Sequence, residues 1–583
     1  MKRLFALLAL FFALALLFCA CAPAAIPDSP TQPTDKEEEP TTPPAEDPAE
    51  ELPGDQELEP DMKPDPEPDP VPDPLPEDEG DGVLRNLTAA ARAGLDQVYR
   101  EKLAATQAFA EVKTQGTVYY ISSIHGDDKY PGRTPARPWK SLAKCASTVQ
   151  PGDTILFECG SVFRRESNDY FIRGLANNVT LASYGEGAKP IFYGSINVPA
   201  SQWKAVSGKS NLYYFDGKSL NLNIYSDVGS IVFNEGEAWG IKIQMTYNDP
   251  EKKQSPADLT LALRGVSNGI GTYDIPSYAL ASGEDLSGPD LSFYHDYGKK
   301  RIYLYCEGGN PGVRFSSVEL SLNLFAFSMQ NPATDMTFLN LEFRNFGSHV
   351  IRTLNCNNLT VKNCAFYFVG GTIQPQYGTW RNYYTRLGNA VENWNACNGM
   401  TVENCFFDQI YDTAMTTQSN DNVTSKNIVY RNNVAQNMWF GVELWTTSNV
   451  EFSHVDVSGN YFAKIGEGFT SQRPDKVDPN TTFSVNAFIK VSGGPYQTKN
   501  DFFVTDNIAD GTNGKMLFCN YPHSKRFPEG IVFDRNTYIA PAGVDFARFF
   551  GKYDGKTYSY TAAGIADAQE MGIERNGTFY LAK

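Results

Sequence analysis

The sequence predicts an all-β protein, a parallel β-helix solenoid behind a short N-terminal helix. Three observations carry that prediction. From Val118 onward, β-branched and aromatic residues alternate with polar ones between frequent Gly and Asn, which is the period of short strands. One pattern then recurs seven times: MTFLNLEF (336–343), LTVKNCAF (359–366), MTVENCFF (400–407), IVYRNNVA (428–435), VDVSGNYF (455–462), FFVTDNIA (502–509) and IVFDRNTY (531–538). Finally, the fifth residues of these segments, Asn340, Asn363, Asn404, Asn432, Gly459, Asp506 and Arg535, lie 23, 41, 28, 27, 47 and 29 residues apart. A strand–turn–strand unit with a period in the twenties is one coil of a solenoid, and the long steps are coils with inserted loops. Successive coils then stack about 4.8 Å apart. The turn Asn of each coil is expected to hydrogen-bond its neighbours above and below.

At the start of the chain, Met1-Lys2-Arg3 and the apolar run Leu4 to Phe18 read as an export signal, too short to span a bilayer comfortably. Ala20-Cys21 behind it resembles a bacterial lipobox with Cys21 as lipid acceptor. Residues 1–21 are therefore expected to be a lipoprotein signal peptide, with the protein lipid-anchored on the extracellular face of the cell membrane. Residues 22–82 alternate Pro with carboxylates, which blocks regular structure and repels itself, so an extended disordered linker is expected. The net charge of −18 is concentrated there: 21 Asp and Glu stand against 2 Lys between Asp28 and Asp81, so the remainder is near neutral. No basic field exists to attract nucleic acid. In 83–115, Leu84, Leu87, Ala91, Leu95, Val98 and Phe109 recur at helical spacing and predict an amphipathic helix that braces the solenoid. Residues 116–583 form the solenoid, for which a monomer suffices. Cys356–Cys397 and Cys364–Cys405 are each 41 apart, equal to the Asn363–Asn404 step, so both pairs are expected to stack as buried thiols on adjacent coils. There is no CxxC or HExxH spacing, and five scattered His make no metal motif.

The stretches VYYISSIHGDDKYPGRTPARPWKSLAKC (118–145), PGDTILFECGSVFRR (151–165) and NVTLASYGEGAKPIFYGS (178–195) resemble the opening of the right-handed parallel β-helix (pectin-lyase-like) superfamily. The segment 244–311 resembles the β-rich insertion many members carry, here at about 200–325. The resemblance spans about 116–583. It implies a right-handed solenoid and a superfamily that includes polysaccharide lyases and glycoside hydrolases; fold alone does not choose between them.

Coil register suggests where chemistry could sit. A second strand reads Val391–Trp394, Ala414–Thr417, Val442–Trp445 and Phe469–Gln472 in four successive coils. With Val391, Ala414, Val442 and Phe469 inward, Glu392, Met415, Glu443 and Thr470 form one outward column and Trp394, Thr417, Trp445 and Gln472 the next. Glu392 and Glu443 then stand two coils apart, a spacing at which two carboxylates can share hydrolysis of a glycosidic bond. Trp394 and Trp445 offer flat faces for sugar rings. Asp408 and Asp412 are expected on the turn before this face, as acid/base groups or as Ca²⁺ ligands. The inserted loops 372–389 and 471–480 contribute Trp380, Tyr383, Arg386 and Arg473, a set that suits a saccharide, including an acidic one.

Three functions fit: a glycoside hydrolase using Glu392 and Glu443, a lyase, or a non-catalytic glycan-binding or adhesive surface protein. For the lyase the superfamily resemblance implies Ca²⁺, which Asp408 and Asp412 would hold, and Arg473, Arg431 or Lys490 as base. The sequence lacks the tight Asp cluster such a calcium site would call for.

Overall fold

The computed structural model describes residues 84 to 582 apart from internal stretches, among them 165–171, 246–258, 474–486 and 521–529. Cys21, the signal segment and the linker lie outside the described residues.

The expected solenoid is present. One sheet stacks Val118–Ile121, Thr154–Glu158, Thr180–Tyr184, Ala333–Leu339, Cys356–Lys362, Cys397–Glu403, Thr424–Arg431, Val450–Ser458, Phe502–Thr505 and Ile531–Asp534, all in parallel. The second sheet carries the strands that leave each turn, such as Glu342–Phe346, Ala365–Val369, Phe406–Ser419 and Val434–Thr446, again parallel and in register. Between the sheets Phe192, Phe343, Phe366 and Phe407 stack one per coil at 5.5, 5.2 and 4.9 Å. Parallel strands buried on the inner face stack like on like, which is why the repeat was visible in the sequence.

The repeated turn residue has a different task from the one expected. Asn340, Asn363, Asn404, Asn432, Gly459, Asp506 and Arg535 all adopt φ between 50° and 63°. Asn and Gly tolerate this left-handed conformation, which is unfavourable for most side chains. In the C-terminal coils the hydrogen-bond ladder is built one residue later. Asn433, Asn460, Asn507 and Asn536 point inward, and each donates through Nδ2 to the side-chain oxygen of the next at 2.6–3.0 Å until Glu574 ends the column. Cys364 and Cys405 hold this position in earlier coils as buried free thiols, and Cys356 and Cys397 face each other in register.

The N-terminal helix, Ala89–Gln107, starts at Thr88, whose hydroxyl accepts the Ala91 N–H. It buries Ala91 and Leu95 against Ala365, Phe406, Val434, Tyr461 and Ile508, outward residues of the second sheet. Arg92 pairs with Asp510 at 2.6 Å, the Tyr99 hydroxyl donates to Gln436, and Asn363 donates to the Ala105 and Ala108 carbonyls. An exposed apolar sheet face is thereby covered.

Between Ser195 and Leu322 the described chain builds three further sheets, mainly antiparallel: one around Val228–Phe233 and Val318–Leu322, one around Ser292–Asp296, Arg301–Tyr305 and Leu212–Asp216, and a two-stranded one of Leu263–Ser267 and Thr272–Ile275. This region is tied to the solenoid by a fully buried node. Asp227 accepts from Lys242 Nζ, from the Ile373 N–H at 2.9 Å and from the Tyr297 hydroxyl at 3.1 Å, and His295 Nδ1 lies 2.9 Å away. Burial opposes the charge on Asp227, but Lys242 and His295 outweigh it and hold the carboxyl at about 2.

Candidate active site

The register of the second sheet defines an outward column on one face. Arg352 is paired with Glu392, Glu392 with Thr416, Thr416 with Glu443, and Glu443 with Lys490. Beneath them Ile351, Val391, Met415, Val442 and Ile489 form the inner column and are buried. The column is therefore cation, carboxylate, hydroxyl, carboxylate, cation, one residue per rung of about 4.8 Å. Glu392 and Glu443 stand two rungs apart, about 9.6 Å between backbones, as the spacing of the coils requires.

Glu392 is held tightly. Arg352 Nε donates to Oε1 at 3.1 Å and Asn389 Nδ2 to Oε2 at 2.7 Å, and His349 Nδ1 lies 3.0 Å from Oε2. Burial would raise its pKa, but His349, Arg352 and the hydrogen bond from Asn389 prevail and hold it below the usual carboxylate range. His349 is itself pushed down by burial, against the pull of Glu392. Its ring stacks on Phe325 at 5.8 Å. Glu443 accepts from Lys490 Nζ at 2.6 Å and from Gln418 Nε2 at 3.3 Å. Beside this column run Trp394, Gln418 and Trp445. The two indoles, both half-buried, stack at 5.6 Å with 21° between planes.

Several expected positions are corrected. Met415, not Ala414, is the inward residue of its coil, because the pairing slips between Ile410 and Thr413, where Tyr411 and Asp412 form a bulge. Thr416 thus joins the outward column, and Thr417 turns inward, fully buried, with its hydroxyl 2.7 Å from the Tyr430 hydroxyl. Gln472 is not in the Trp column either. Gly468–Gln472 is a 3₁₀ turn in an inserted loop, and the rung is filled by Ala487–Gly493. Gln472 is buried, accepting the Lys242 N–H at 2.9 Å and donating to the Gly240 carbonyl at 2.8 Å. Asp408 lies on another face. It pairs in register with Gln436 below the N-terminal helix and accepts from Asn437 and Gln436 at 2.7 and 3.1 Å. Burial raises its pKa there. The chain bends at Gln409, φ 60°, so Asp412 belongs to the next face and does not share a site with Asp408. The Ca²⁺ pair expected for a lyase is not formed by these two, and among the described residues no cluster of three or more His, Cys, Asp or Glu has metal-site geometry. Arg431 pairs with Glu403 at 3.3 Å on the first sheet, away from this column.

Asp412 accepts from Arg473 Nη1 at 2.6 Å. The Arg473 guanidinium also lies 5.5 Å from the Tyr411 ring centre and 5.1 Å from that of Trp439. Arg386 meets the same Tyr411 ring at 5.1 Å and donates through Nε to Gln244 at 3.1 Å. Thr379–Trp380 and Tyr383–Tyr384 form a two-stranded antiparallel ribbon; the side chains of Trp380 and Tyr383 lie outside the described residues. The sequence reading missed Arg352, His349 and Asn389. The Cys356–Cys397 step, carried back along the coil, would have placed Arg352 close to Glu392. His349 and Asn389 stand on turns, which no strand alternation marks.

No family model matches the chain. It is 40% identical over 120 residues to a lacto-N-biosidase of Bifidobacterium longum subsp. longum, covering 17% of this chain and 7% of that protein. The chain thus spans a small part of that curated relative. Solved structures that resemble it include XylC with xylose (13% identity, TM-score 0.38, 80% of this chain and 82% of the other) and a lacto-N-biosidase of family GH136 from Eubacterium ramulus (12%, 0.30, 84% and 71%). A further neighbour is described as a glycoside hydrolase (13%, 0.39, 74% and 89%).

Proposed function

We propose that the chain is a glycoside hydrolase acting on a glycan at the face of Glu392 and Glu443, on a right-handed solenoid. The observation that carries this reading is the column itself: two carboxylates symmetric about Thr416, with a cation on the far side of each. A glycosidic bond lying over Thr416 is one rung from both. Glu392, held ionised, takes a proton from water as that oxygen attacks the anomeric carbon. The bond from that carbon to the leaving oxygen breaks, and the leaving oxygen takes a proton from Glu443. The two-rung separation favours the inverting arrangement, which leaves room for water between carboxyl and sugar. Trp394 and Trp445 bind neighbouring rings by stacking, and the local match to a lacto-N-biosidase agrees with a glycan substrate.

The test is a polysaccharide and oligosaccharide panel read for reducing ends and ultraviolet absorbance together, with and without calcium. Reducing ends without absorbance support hydrolysis; absorbance marks elimination and overturns it in favour of a lyase. A second reading, a glycan-binding protein without catalysis, is favoured by the ion pair that each of Glu392, Glu443 and Asp412 makes in the resting structure. Retention on glycan gels without turnover would establish it. We propose further that Cys21 is acylated and tethers a monomeric protein to the outer face of the cell membrane, supported by the basic start, the apolar run and Ala20-Cys21. Incorporation of labelled palmitate, lost in Cys21→Ala, tests the anchor.

A further inference from the structure

Five cations stand around the site, and four have carboxylates: Arg352 with Glu392, Lys490 with Glu443, Arg473 with Asp412 and Lys242 with Asp227. Arg386 is the exception among the described residues. It is 3% exposed, and its Nη1 and Nη2 donate to nothing. Trp439 Nε1 and the hydroxyls of Thr413 and Thr416 are also buried without a partner. Folded interiors leave few such groups, and an unpaired buried charge is among the least favourable. Here they gather around Tyr411 and the carboxylate column. The rim is open to solvent: the side chains of Asp412, Arg352 and Lys490 are 22, 22 and 23% exposed. A place with spare donors and one unmatched positive charge fits a ligand group that brings acceptors and a negative charge. The two parallel Nη–H groups of a guanidinium match the two oxygens of a carboxylate.

Building on the glycosidase reading, we infer that Arg386 receives the carboxylate of a sugar acid, so that the substrate is an acidic glycan bound with its acid group at Tyr411 and its scissile bond at the Glu column. Arg386 fixes which sugar lies there and takes no part in bond breaking.

Titration calorimetry on the full chain tests this with uronate-containing oligosaccharides, the same oligosaccharides after carboxyl reduction to the neutral sugar, and sulfated neutral oligosaccharides. The expected result is binding of the acids at least 10-fold tighter than of their reduced forms. Arg386→Gln should remove that difference, and Arg386→Lys, which keeps charge but loses the fork, should keep part of it. In the free protein Arg386→Gln should melt no lower than the wild type, which separates lost binding from misfolding. Equal affinity for acid and reduced forms overturns the inference. So does full affinity for acids in Arg386→Gln, a preference for sulfated sugars alone, or no binding of any acidic glycan. The readout is independent of turnover: neutral glycans cut while acids go unbound sinks this inference and leaves the hydrolase. Acids bound through Arg386 but never cut does the reverse.

Discussion

Replacing Asn460 by Ala should destabilise the solenoid far more than the loss of one side chain suggests. Asn460 is fully buried at the centre of the asparagine column. Its Oδ1 accepts from the Asn433 N–H and from Asn433 Nδ2, both at 3.0 Å, and its Nδ2 donates to the Tyr430 carbonyl at 2.8 Å and to Asn507 Oδ1 at 2.9 Å. In Asn460→Ala, Asn433 Nδ2 keeps the Val402 carbonyl and Asn507 Oδ1 keeps the Asn460 N–H. The Asn433 N–H and the Tyr430 carbonyl lose the partners that Asn460 supplied. Each unsatisfied buried group costs about 1–3 kcal/mol, so the expected loss is about 3 kcal/mol. Asn398→Ala serves as control. It is exposed and accepts one 3.2 Å bond from Asn427, and its loss should stay within about 0.5 kcal/mol. Urea unfolding gives both values, and hydrogen exchange should show the Asn433 amide losing protection first. A loss below about 1 kcal/mol for Asn460→Ala, or an unchanged Asn433 amide, would refute the idea that the column holds the coils together.

Glu392→Gln and Glu443→Gln should each lower kcat by roughly 100-fold or more, on the order of what a positioned acid or base contributes, with the fold kept by circular dichroism; full activity in either removes the pair assignment. Arg352→Met should move the acidic limb of the rate profile upward, since it removes a guanidinium that helps hold Glu392 below the usual carboxylate range; an unmoved limb would contradict that role. Glu574, raised to about 7 chiefly by burial, holds its proton in the folded state at pH values where the unfolded chain, near about 4.3, has lost it. The folded state therefore binds more protons between those values, and this group makes stability fall as pH rises through them. Glu574→Gln should flatten that part of a melting-temperature profile, and an unchanged slope would contradict the shift. Trp445→Ala should weaken glycan retention by roughly 10-fold, in keeping with an aromatic contact worth about 1 kcal/mol or more.

The solenoid was legible because stacking repeats one physical demand in every coil. A left-handed turn needs Asn or Gly, the inner face needs aliphatic or aromatic residues, and both recur at the coil length. The same logic placed Glu392 and Glu443 in one column. It failed wherever the chain departs from coil geometry. The bulge at Tyr411 and Asp412 adds a residue that alternation cannot count, so Thr417 was expected outside and lies inside. Phe469–Gln472 looks like a strand by composition, yet the loop that carries it leaves the sheet, and Phe469 packs on Tyr411 and Phe368 instead. Asp408 and Asp412 are four residues apart and belong to different faces because Gln409 turns the chain. The partners of Glu392 were invisible for another reason: His349 and Asn389 come from loops, and only folding brings them to it.

The ion pairs around Glu392 and Glu443 could be taken as evidence that the face is merely a solvated ladder. Their arrangement argues otherwise. A ladder that only balances charge would alternate signs rung by rung, each carboxylate flanked by two cations. Within the column each carboxylate has one cation, on the rung away from Thr416, and the two carboxylates face each other across that hydroxyl; His349 stands beside Glu392 off the column. Thr416 is buried and its hydroxyl makes no hydrogen bond. Were both ionised, two carboxylates flanking a neutral rung would repel each other through the protein, a cost that stability alone would not retain; in the proposed reaction Glu443 carries a proton instead. The same pattern suits a reaction in which positive charge builds at a sugar carbon lying between them. Arg352 then keeps Glu392 ionised, and the central rung is left to the substrate. Thr416→Lys should fill that rung with the missing cation. Because Thr416 is fully buried, the longer charged side chain is expected to lower melting as well as to abolish turnover. A variant that melted lower yet still turned over would place the chemistry elsewhere.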